Sequence, residues 1–312
     1  MPKFLYGNNI LSYLAVEHFV NGITIGSLEN RLNIGTGSIL SILNKLAEIL
    51  ESVPHKLEEE YRNSIVKHAD ETGWRYDGQN GYVYLFCTPD ISLFKFKKTR
   101  AAIVPKEVFG EKTAPGVLVV DRYSGYNKLP CKIQYCYAHL LRTIQDLEKE
   151  FPDNIEIINF IETTSPLLAR AMSLKRLVDN DEDDYYRMAI KTKNRIIQEM
   201  NKEANHQAIQ RIQDIFRKNT ERLYHWVDDI NVPADNNRAE RELRPLVIAR
   251  KLSFGSNSVK SAKTRETMMS VLLTLRKKKK GEDLIKVFKL FLDKISENQN
   301  LDLYKTLYLD TK

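Results

Sequence analysis

The sequence predicts an α/β protein in which a mixed five-stranded sheet packs against helices. The period of the apolar residues changes from helical to extended near residue 64. Five short apolar, β-prone segments follow before residue 140, and the segments around them have helical periodicity. The 312-residue chain is 42% hydrophobic and 29% charged, which is typical of a globular protein and excludes a disordered one.

Residues 1–62 predict a helical N-terminal domain. A short helical segment at 27–32 leads into a Gly-containing turn at 33–37, and a longer helix follows from Ser38, which we expect to cap it. This outline fits a helix-turn-helix, and it equally fits an ordinary helical hairpin. The second helix carries one basic residue, Lys45, whereas recognition helices usually present several polar or basic side chains to DNA. Both interpretations therefore stay open.

Residues 63–153 predict the first part of the core. Three consecutive β-prone segments joined by turn signals predict an antiparallel meander. A helix at 100–109 then leads to a buried strand at 117–121, and a fifth strand at 132–136 precedes a helix that begins at His139. The order β-β-β-α-β-α-β-α is that of a ribonuclease-H-like fold, in which the first and fourth strands are neighbours.

The remaining chain predicts three further segments. Residues 154–231 are charged and helical, and they predict a helical insertion that splits the core. Its acidic run at 179–184 predicts a solvated helix connection and not a metal site. The rest of the core follows at 232–280, and residues 281–312 predict a C-terminal helical tail.

Three carboxylates are the candidates for chemistry. Asp70 and Asp121 each end an apolar, β-prone run, whereas Glu240 lies far downstream in a polar, Arg-rich helix. If the first and fourth strands are neighbours, the two aspartates lie side by side at one edge of the sheet. Three converging carboxylates can hold two divalent metal ions, which is how enzymes cut and rejoin phosphodiesters. For Glu240 the alternative is an exposed ion pair with Arg244, four residues later.

The helix that carries Glu240 is predicted to begin near Pro233 and to end before Pro245. Helical spacing places Glu242 about 200° around the helix from Glu240, so that both cannot address one metal site. Leu243 is expected to be buried and to hold the helix on the core. The face that we expect to look at the site carries Asn236, Asn237, Glu240 and Arg244.

Positive charge is clustered near this helix. The net charge of +7 favours an anionic partner, with nucleic acid the first candidate. Between residues 236 and 280, lysine and arginine outnumber glutamate, and such clusters are typical of phosphate contacts as well as of solvated faces. Arginine is favoured because its planar fork suits phosphate oxygens. The residues predicted to contact DNA are Arg238, Arg241, Arg244, Arg250 and Lys251.

Several residues near the carboxylates have two open interpretations. Cys136 and His139 have the spacing of zinc ligands, but the sequence lacks a second matching pair. Trp74 and Tyr126 are close in sequence to the aspartates, and they could stack on a DNA base or pack in the core. His68 could orient the site or be a hydrogen-bonded core histidine.

Four motifs, in this order, resemble the transposases of the IS66 family of bacterial insertion sequences. The match spans most of the chain from about residue 64 to 275, and the order of the motifs makes it specific. The motifs are HADETGW at 68–74, VVDRYSGYNKLP at 119–130, CYAHLLR at 136–142 and DNNRAERELRP at 235–245, followed by Arg250 and Lys251.

The resemblance implies a DNA transposase of the DDE type with a ribonuclease-H-like core. Asp70, Asp121 and Glu240 would be the catalytic residues and the ligands of two Mg²⁺ ions, for which Mn²⁺ substitutes. The reaction would be cleavage at the ends of the insertion sequence, followed by strand transfer into target DNA. The residues that would support the site are His139, Asn237, Trp74 and Tyr126.

The resemblance also implies the partners. These are DNA, as terminal inverted repeats and as target, and a second copy of the chain in a synaptic homo-oligomer, with accessory proteins of the same element as a further option. No membrane partner is expected. Family members often begin with a coiled-coil or Cys-rich zinc-binding segment, and this sequence has no such cluster before residue 64. We expect this difference to affect recognition of the terminal repeats more than the chemistry.

Two other functions stay open at this point. One is a truncated, catalytically idle DNA-binding remnant, and the other is a ribonuclease-H-like nuclease without strand transfer. Three cysteines without disulfide-framework spacing, together with the lack of a signal-peptide pattern or an apolar spanning stretch, predict a cytoplasmic protein. The resemblance implies that it is bacterial and nucleoid-associated.

Overall fold

A computed structural model of the protein describes residues 4–179, 181–253 and 255–309. The ends of the first and last predicted segments, residues 1–3 and 310–312, lie outside the described residues, as does Asn180 of the predicted acidic connection. Contacts divide the chain into two units. Unit 1 combines the residues up to Ser64 with Asp70–Val108 and the chain from Ala239 onward, and unit 2 combines Ile65–Ala69 with Phe109–Arg238.

The described residues form fourteen α-helices and five β-strands. The strands are β1 (Val66–Tyr76), β2 (Gln79–Cys87), β3 (Ser92–Lys97), β4 (Val117–Val120) and β5 (Lys132–Tyr135). The helices are α1 (Asn8–Phe19), α2 (Ile25–Leu32), α3 (Thr36–Ile49), α4 (Val53–Asn63), α5 (Ile103–Phe109), α6 (Tyr137–Glu150), α7 (Ile155–Leu177), α8 (Glu182–Met200), α9 (Gln207–Lys218), α10 (His225–Asp228), α11 (Asn237–Ser253), α12 (Val259–Lys278), α13 (Leu284–Glu297) and α14 (Leu303–Tyr308).

The first helices of unit 1 include the predicted short helix, turn and longer helix. Asn33 ends α2 in the left-handed conformation, with φ of 52°. The longer helix α3 begins at Thr36 and not at Ser38, so the prediction of a cap at Ser38 is wrong. The physical reason is Glu29, whose carboxylate accepts hydrogen bonds from the amide of Thr36 at 3.0 Å and from its hydroxyl at 2.7 Å. These bonds satisfy the helix start two residues earlier.

Hydrogen bonding arranges the strands in the order β3-β2-β1-β4-β5. The sheet is mixed, because β2 and β3 are antiparallel whereas β1 pairs with β4, and β4 with β5, in parallel. The prediction that the first and fourth strands are neighbours is confirmed. The prediction that the first strand ends at Asp70 is wrong, since β1 continues to a turn at Asp77 and Gly78. Their φ values of 53° and 69° give the left-handed two-residue turn that joins twisted antiparallel strands.

Gly116 sets the pairing of β4 with β1 in unit 2. The amide of Val117 donates to the carbonyl oxygen of Ile65 at 2.8 Å, and from there the register pairs His68 with Val119. Gly116 has φ of +71°, and a Cβ atom at this position would lie 1.9 Å from the Ile65 oxygen. Only glycine allows this approach without strain, so that the position of β4 depends on it.

Helix α12 covers the edge strand β3 in unit 1 with a row of polar side chains. An edge strand leaves every second amide without a strand partner, and such edges must be blocked or covered. Three acceptors at four-residue spacing on α12 bind three alternate amides of β3, which are paired as Thr274 Oγ1 with Ser92 N at 3.0 Å, Ser270 Oγ with Phe94 N at 2.9 Å and Glu266 Oε2 with Phe96 N at 2.6 Å. The helix therefore replaces a sixth strand at this edge.

Helix α11 continues through Pro245, whereas the sequence predicts an end before this proline. Proline inside a helix removes a backbone hydrogen bond at a cost of about 3 kcal/mol. The helix continues because Leu246 is fully buried beyond the proline and Arg250 is bound to β1 one turn further on. Tertiary contacts thus outweigh the local signal.

In unit 2 the carbonyl group of Leu223 binds three buried side chains. The donors are Gln134 Nε2 at 3.2 Å, Tyr137 Oη at 2.7 Å and Trp226 Nε1 at 2.9 Å. Burial raises the pKa of Tyr137 far above its ordinary value, so its hydroxyl stays protonated and can donate. The loop after α9 is therefore fixed to β5 and to the first residue of α6.

Substitution of Gly116 by alanine is expected to lower the free energy of unfolding by about 3 kcal/mol, because the left-handed conformation and the contact with Ile65 both oppose a Cβ atom. Gly26→Ala is the control, since this exposed position has space for a Cβ atom and should gain about 0.5 kcal/mol. Urea unfolding followed by circular dichroism measures both. Equal stability of the two variants would contradict the role of Gly116.

Ser270→Ala removes the middle acceptor at the edge of the sheet. The buried Phe94 amide is then left without this partner, which is expected to cost about 1 to 3 kcal/mol. Ser41→Ala, at an exposed position of α3, should change stability by less than about 0.5 kcal/mol. Thermal unfolding of both variants and detection of dimers by light scattering test whether α12 blocks the edge.

Candidate active site

Asp121 directly follows the last residue of β4 in unit 2. Its Oδ1 atom accepts a hydrogen bond from the amide of Tyr123 at 2.9 Å, which fixes the orientation of a half-buried carboxylate. The Tyr123 ring lies over Gly125, where a Cβ atom would be 2.3 Å from the ring. Burial lowers the pKa of the adjacent Arg122, although Tyr135 and Asp121 oppose this shift. The loop thus presents a carboxylate beside a guanidinium.

Asp70 lies inside β1, in unit 1, and its carboxylate has the same kind of backbone contact. Its Oδ1 atom accepts from the amide of Glu71 at 2.9 Å. Glu71 itself pairs with Arg100, whose Nη2 and Nε atoms lie 2.6 and 2.9 Å from Oε1. The Glu71 side chain is 2% exposed, and its carboxylate forms an ion pair with Arg100.

Short stretches of β1 and β4 that precede the two aspartates are paired in unit 2. In unit 2, β1 and β4 run in parallel with His68 opposite Val119. Asp70 follows His68 by two residues, and Asp121 follows Val119 by two residues. The sequence predicts that these two strands are neighbours, and in unit 2 they pair in parallel over Val66–His68 and Val117–Val119.

Glu240 lies in the first turn of α11 and is half-buried. Ala239 and Leu243 are buried on the adjoining face, which confirms that Leu243 holds the helix in unit 1. Glu242 points elsewhere, as helical geometry predicts, because its carboxylate binds Lys277 Nζ at 2.7 Å and Ser92 Oγ at 2.8 Å.

Asn236 is a buried residue of unit 2 that acts as a connector, because its side chain joins two residues of β1 to the start of α11. The sequence instead predicts that it lies on the face of this helix. It precedes α11 and has no exposed surface. Its Nδ2 donates to the carbonyl of Ala69 at 2.8 Å, and its Oδ1 lies 2.9 Å from Nδ1 of His68. Because the amide oxygen only accepts, His68 carries its proton on Nδ1. His68 is therefore a hydrogen-bonded core histidine.

Cys136 and His139 lie at the start of α6 in unit 2. The Cys136 sulfur accepts from the amide of Asn236 at 3.1 Å, and burial raises the pKa of the thiol to about 11. His139 is half-buried, with Nη2 of Arg142 at 3.3 Å from its Nε2. The Cys136 side chain is therefore a neutral thiol, and its sulfur accepts a hydrogen bond from the segment that leads to α11.

The two aromatic residues predicted near the site are in the interior. Trp74 is 1% exposed and Tyr126 is fully buried, which fits core packing and leaves no face open to a DNA base. Trp74 packs under the guanidinium of Arg265, which lies 5.5 Å from the ring centroid and 3.0 Å from Nε2 of His18. Burial lowers the pKa of His18 to about 4, so the ring is neutral and accepts this bond.

The predicted DNA-contacting residues differ in exposure. Arg241, Arg244 and Lys251 are exposed on α11, and Arg238 is half-buried at its start. Asn237, predicted to support the site, is half-buried there as well. Arg250 is half-buried, and its Nη1 donates to the carbonyl oxygen of Gly73. Other cations of the 236–280 cluster also have partners inside unit 1, namely Lys277 with Glu242, Lys278 with Glu60, Lys260 with Glu48 and Lys263 with Glu51.

Comparison with known proteins identifies one family. Residues 3–264 match the model of the family described as Transposase IS66 family, which covers both aspartates and the whole of α11. No curated protein matches the chain. Within the described residues, no helix has both the length and the apolar character needed to cross a membrane.

Asn236→Ala is expected to lower the free energy of unfolding by about 2 to 4 kcal/mol, because the Ala69 carbonyl and the His68 ring both lose a buried partner. Asn237→Ala is the matched control, with a change below about 0.5 kcal/mol, because its hydrogen bond to Asp235 is donated by the main-chain amide, which alanine keeps. Chemical denaturation compares the two. Similar losses in both variants would contradict the role of Asn236 as a connector.

Proposed function

Since the chain belongs to the IS66 family of transposases, we propose that it is a DDE-type enzyme that cuts DNA at the ends of an insertion sequence and joins it to target DNA. The observation that supports this proposal is the parallel pairing of β1 with β4 in unit 2, over the residues that lead to Asp70 in one strand and to Asp121 after the other. Glu240, in the first turn of α11, is the third proposed catalytic residue. The strand order supports a ribonuclease-H-like core as the scaffold.

The chemistry of the three side chains fits a divalent metal. Carboxylate oxygens are the ligands that Mg²⁺ and Mn²⁺ prefer. In both aspartates a backbone amide 2.9 Å away holds one oxygen, so the carboxylate keeps one orientation. Asp70, Asp121 and Glu240 are the residues that would hold two ions, and bound Mg²⁺ would stabilise the attacking and leaving oxygens of the phosphodiester.

The protein itself would bind and orient the DNA. Arg241, Arg244 and Lys251 are exposed along α11, the helix that carries Glu240. Exposed guanidinium groups bind phosphate oxygens with two parallel hydrogen bonds, which positions the backbone without reading its sequence. These three side chains would thus guide the DNA strand toward the carboxylates.

The partners follow from the reaction. Terminal inverted repeats and target DNA are the proposed substrates. Joining two ends of one element requires that both be held together, and we propose a homo-oligomer for this step. Accessory proteins of the same element are a further option that the reaction permits.

Asp121→Asn is expected to reduce Mn²⁺-dependent or Mg²⁺-dependent cleavage by at least a hundredfold while DNA affinity stays within about twofold, because the amide is a poor metal ligand that adds no negative charge. The assay uses labelled DNA from the flanks of the gene. Asp153→Asn, an exposed change in unit 2, is the matched control and should cleave normally.

The alternatives give different results in the same assay. Cleavage that persists in Asp121→Asn would contradict the assigned site. Binding without cleavage by the unmodified protein would favour a DNA-binding remnant, and hydrolysis of RNA–DNA hybrids without strand transfer would favour a nuclease.

A further inference from the structure

We propose that Arg250 is a positioning residue that fixes the helix carrying Glu240 to the strand carrying Asp70, and that it does not serve as a phosphate contact. The part of α11 from Ala239 onward and the part of β1 from Asp70 onward both belong to unit 1. This inference rests on the proposed function, because fixing α11 affects catalysis only if Glu240 is a catalytic residue.

Arg250 contacts a backbone carbonyl group and a side-chain hydroxyl group of β1. Its Nη1 donates to the carbonyl oxygen of Gly73 and lies 3.4 Å from the hydroxyl of Thr72. A Cβ atom built on Gly73 would lie 3.4 Å from the same nitrogen, so the guanidinium packs directly on the glycine. These residues follow Asp70 by two and three positions.

The chain after α11 forms a second attachment to the same strand. Ser256 N donates to the carbonyl of Arg75 at 2.9 Å, and the amide of Asp77 donates to the carbonyl of Ser256 at 3.0 Å. Gly255 has φ of +128°, and a Cβ atom there would lie 1.9 Å from the Arg75 oxygen. The Ser256 hydroxyl also accepts from Trp74 Nε1 at 3.2 Å. The chain just after α11 is thus bound to Trp74, Arg75 and Asp77, at the end of β1 and just beyond it.

The geometry of α11 explains why this end of the helix affects Glu240. Glu240 and Arg250 are ten residues apart, or about 15 Å along a helix. Pro245 lies between them and weakens the backbone hydrogen bonding at that point. Catalytic side chains must be held to within about 0.5 Å, so a helix that is free at one end would misplace its carboxylate.

The neighbouring Lys251 provides a matched comparison. It is exposed and carries the same charge, whereas the Arg250 guanidinium donates to a carbonyl group. A phosphate contact would contribute to the salt dependence of DNA binding. An internal hydrogen bond would contribute to the order of the helix and to metal binding instead.

The test compares Arg250→Ala, Arg250→Lys and Lys251→Ala in the full-length chain. Hydrogen–deuterium exchange of residues 237–253 and 70–76 measures the attachment, and the Mn²⁺-induced shift in Tm without DNA measures metal binding. We expect Arg250→Ala to exchange at least tenfold faster in both segments and to need at least tenfold more Mn²⁺. Arg250→Lys should be intermediate, because an ammonium group can also donate to the Gly73 carbonyl.

DNA binding separates the two roles. Arg250→Ala should bind labelled DNA within twofold of the unmodified protein and with the same salt slope. Lys251→Ala should lower the salt slope by about 1 and leave the Mn²⁺ response unaltered. Unchanged exchange in Arg250→Ala, or a reduced salt slope with a normal Mn²⁺ response, would overturn the inference.

Failure of the proposed function has a different signature. If the unmodified protein shows neither a Mn²⁺ response nor cleavage, the catalytic assignment is wrong. The exchange measurement then still decides whether Arg250 attaches the helix, because it requires no metal and no DNA.

Discussion

The structure depends on hydrogen bonds that the backbone of β1 receives from residues far away in the sequence. The Ala69 carbonyl binds Asn236 across 167 positions, and the Gly73 carbonyl binds Arg250 across 177 positions. At the start of the strand, the Ile65 carbonyl binds the amide that begins β4. The Asn236 bond is buried and the Arg250 bond is partly buried, and in such settings an unsatisfied backbone group would cost about 1 to 3 kcal/mol. Within unit 2 these bonds hold β4 and the segment before α11 on β1, and within unit 1 the Arg250 bond holds α11 on β1.

The same use of polar groups appears at the free edge of the sheet. Helix α12 has the composition of a basic, water-facing helix in the sequence, yet most of its middle residues are buried. Its hydroxyl and carboxylate groups accept hydrogen bonds from alternate amides of β3, where another strand would otherwise bind. Buried polar residues at helical spacing were thus a signal for a helix that covers a sheet edge. The many lysine and arginine residues of α12 hide this signal when only the charge of the segment is considered.

The division of the cations into structural and exposed groups changes the picture of the DNA-contacting surface. Arg265 is buried between aromatic rings and a neutral histidine, and Lys277 forms a partly buried pair with Glu242. Removing one partner of such a pair leaves a partly buried charge uncompensated, which is destabilising. These cations stabilise unit 1 and cannot at the same time contact phosphates. The exposed cations of α11, among them Arg241, Arg244 and Lys251, form a smaller surface than the sequence suggests.

The sequence by itself determined the alternation of elements, the pairing of the first strand with the fourth, the burial of Leu243 and the family of the chain. These features follow from local periodicity and motif order, which a linear pattern records. Only the tertiary structure decided that β1 continues past Asp70, that α11 continues through Pro245, and that Asn236 and Arg250 face the backbone of β1. Such outcomes depend on partners more than a hundred positions away, whose contact free energies exceed the local preferences that sequence patterns report.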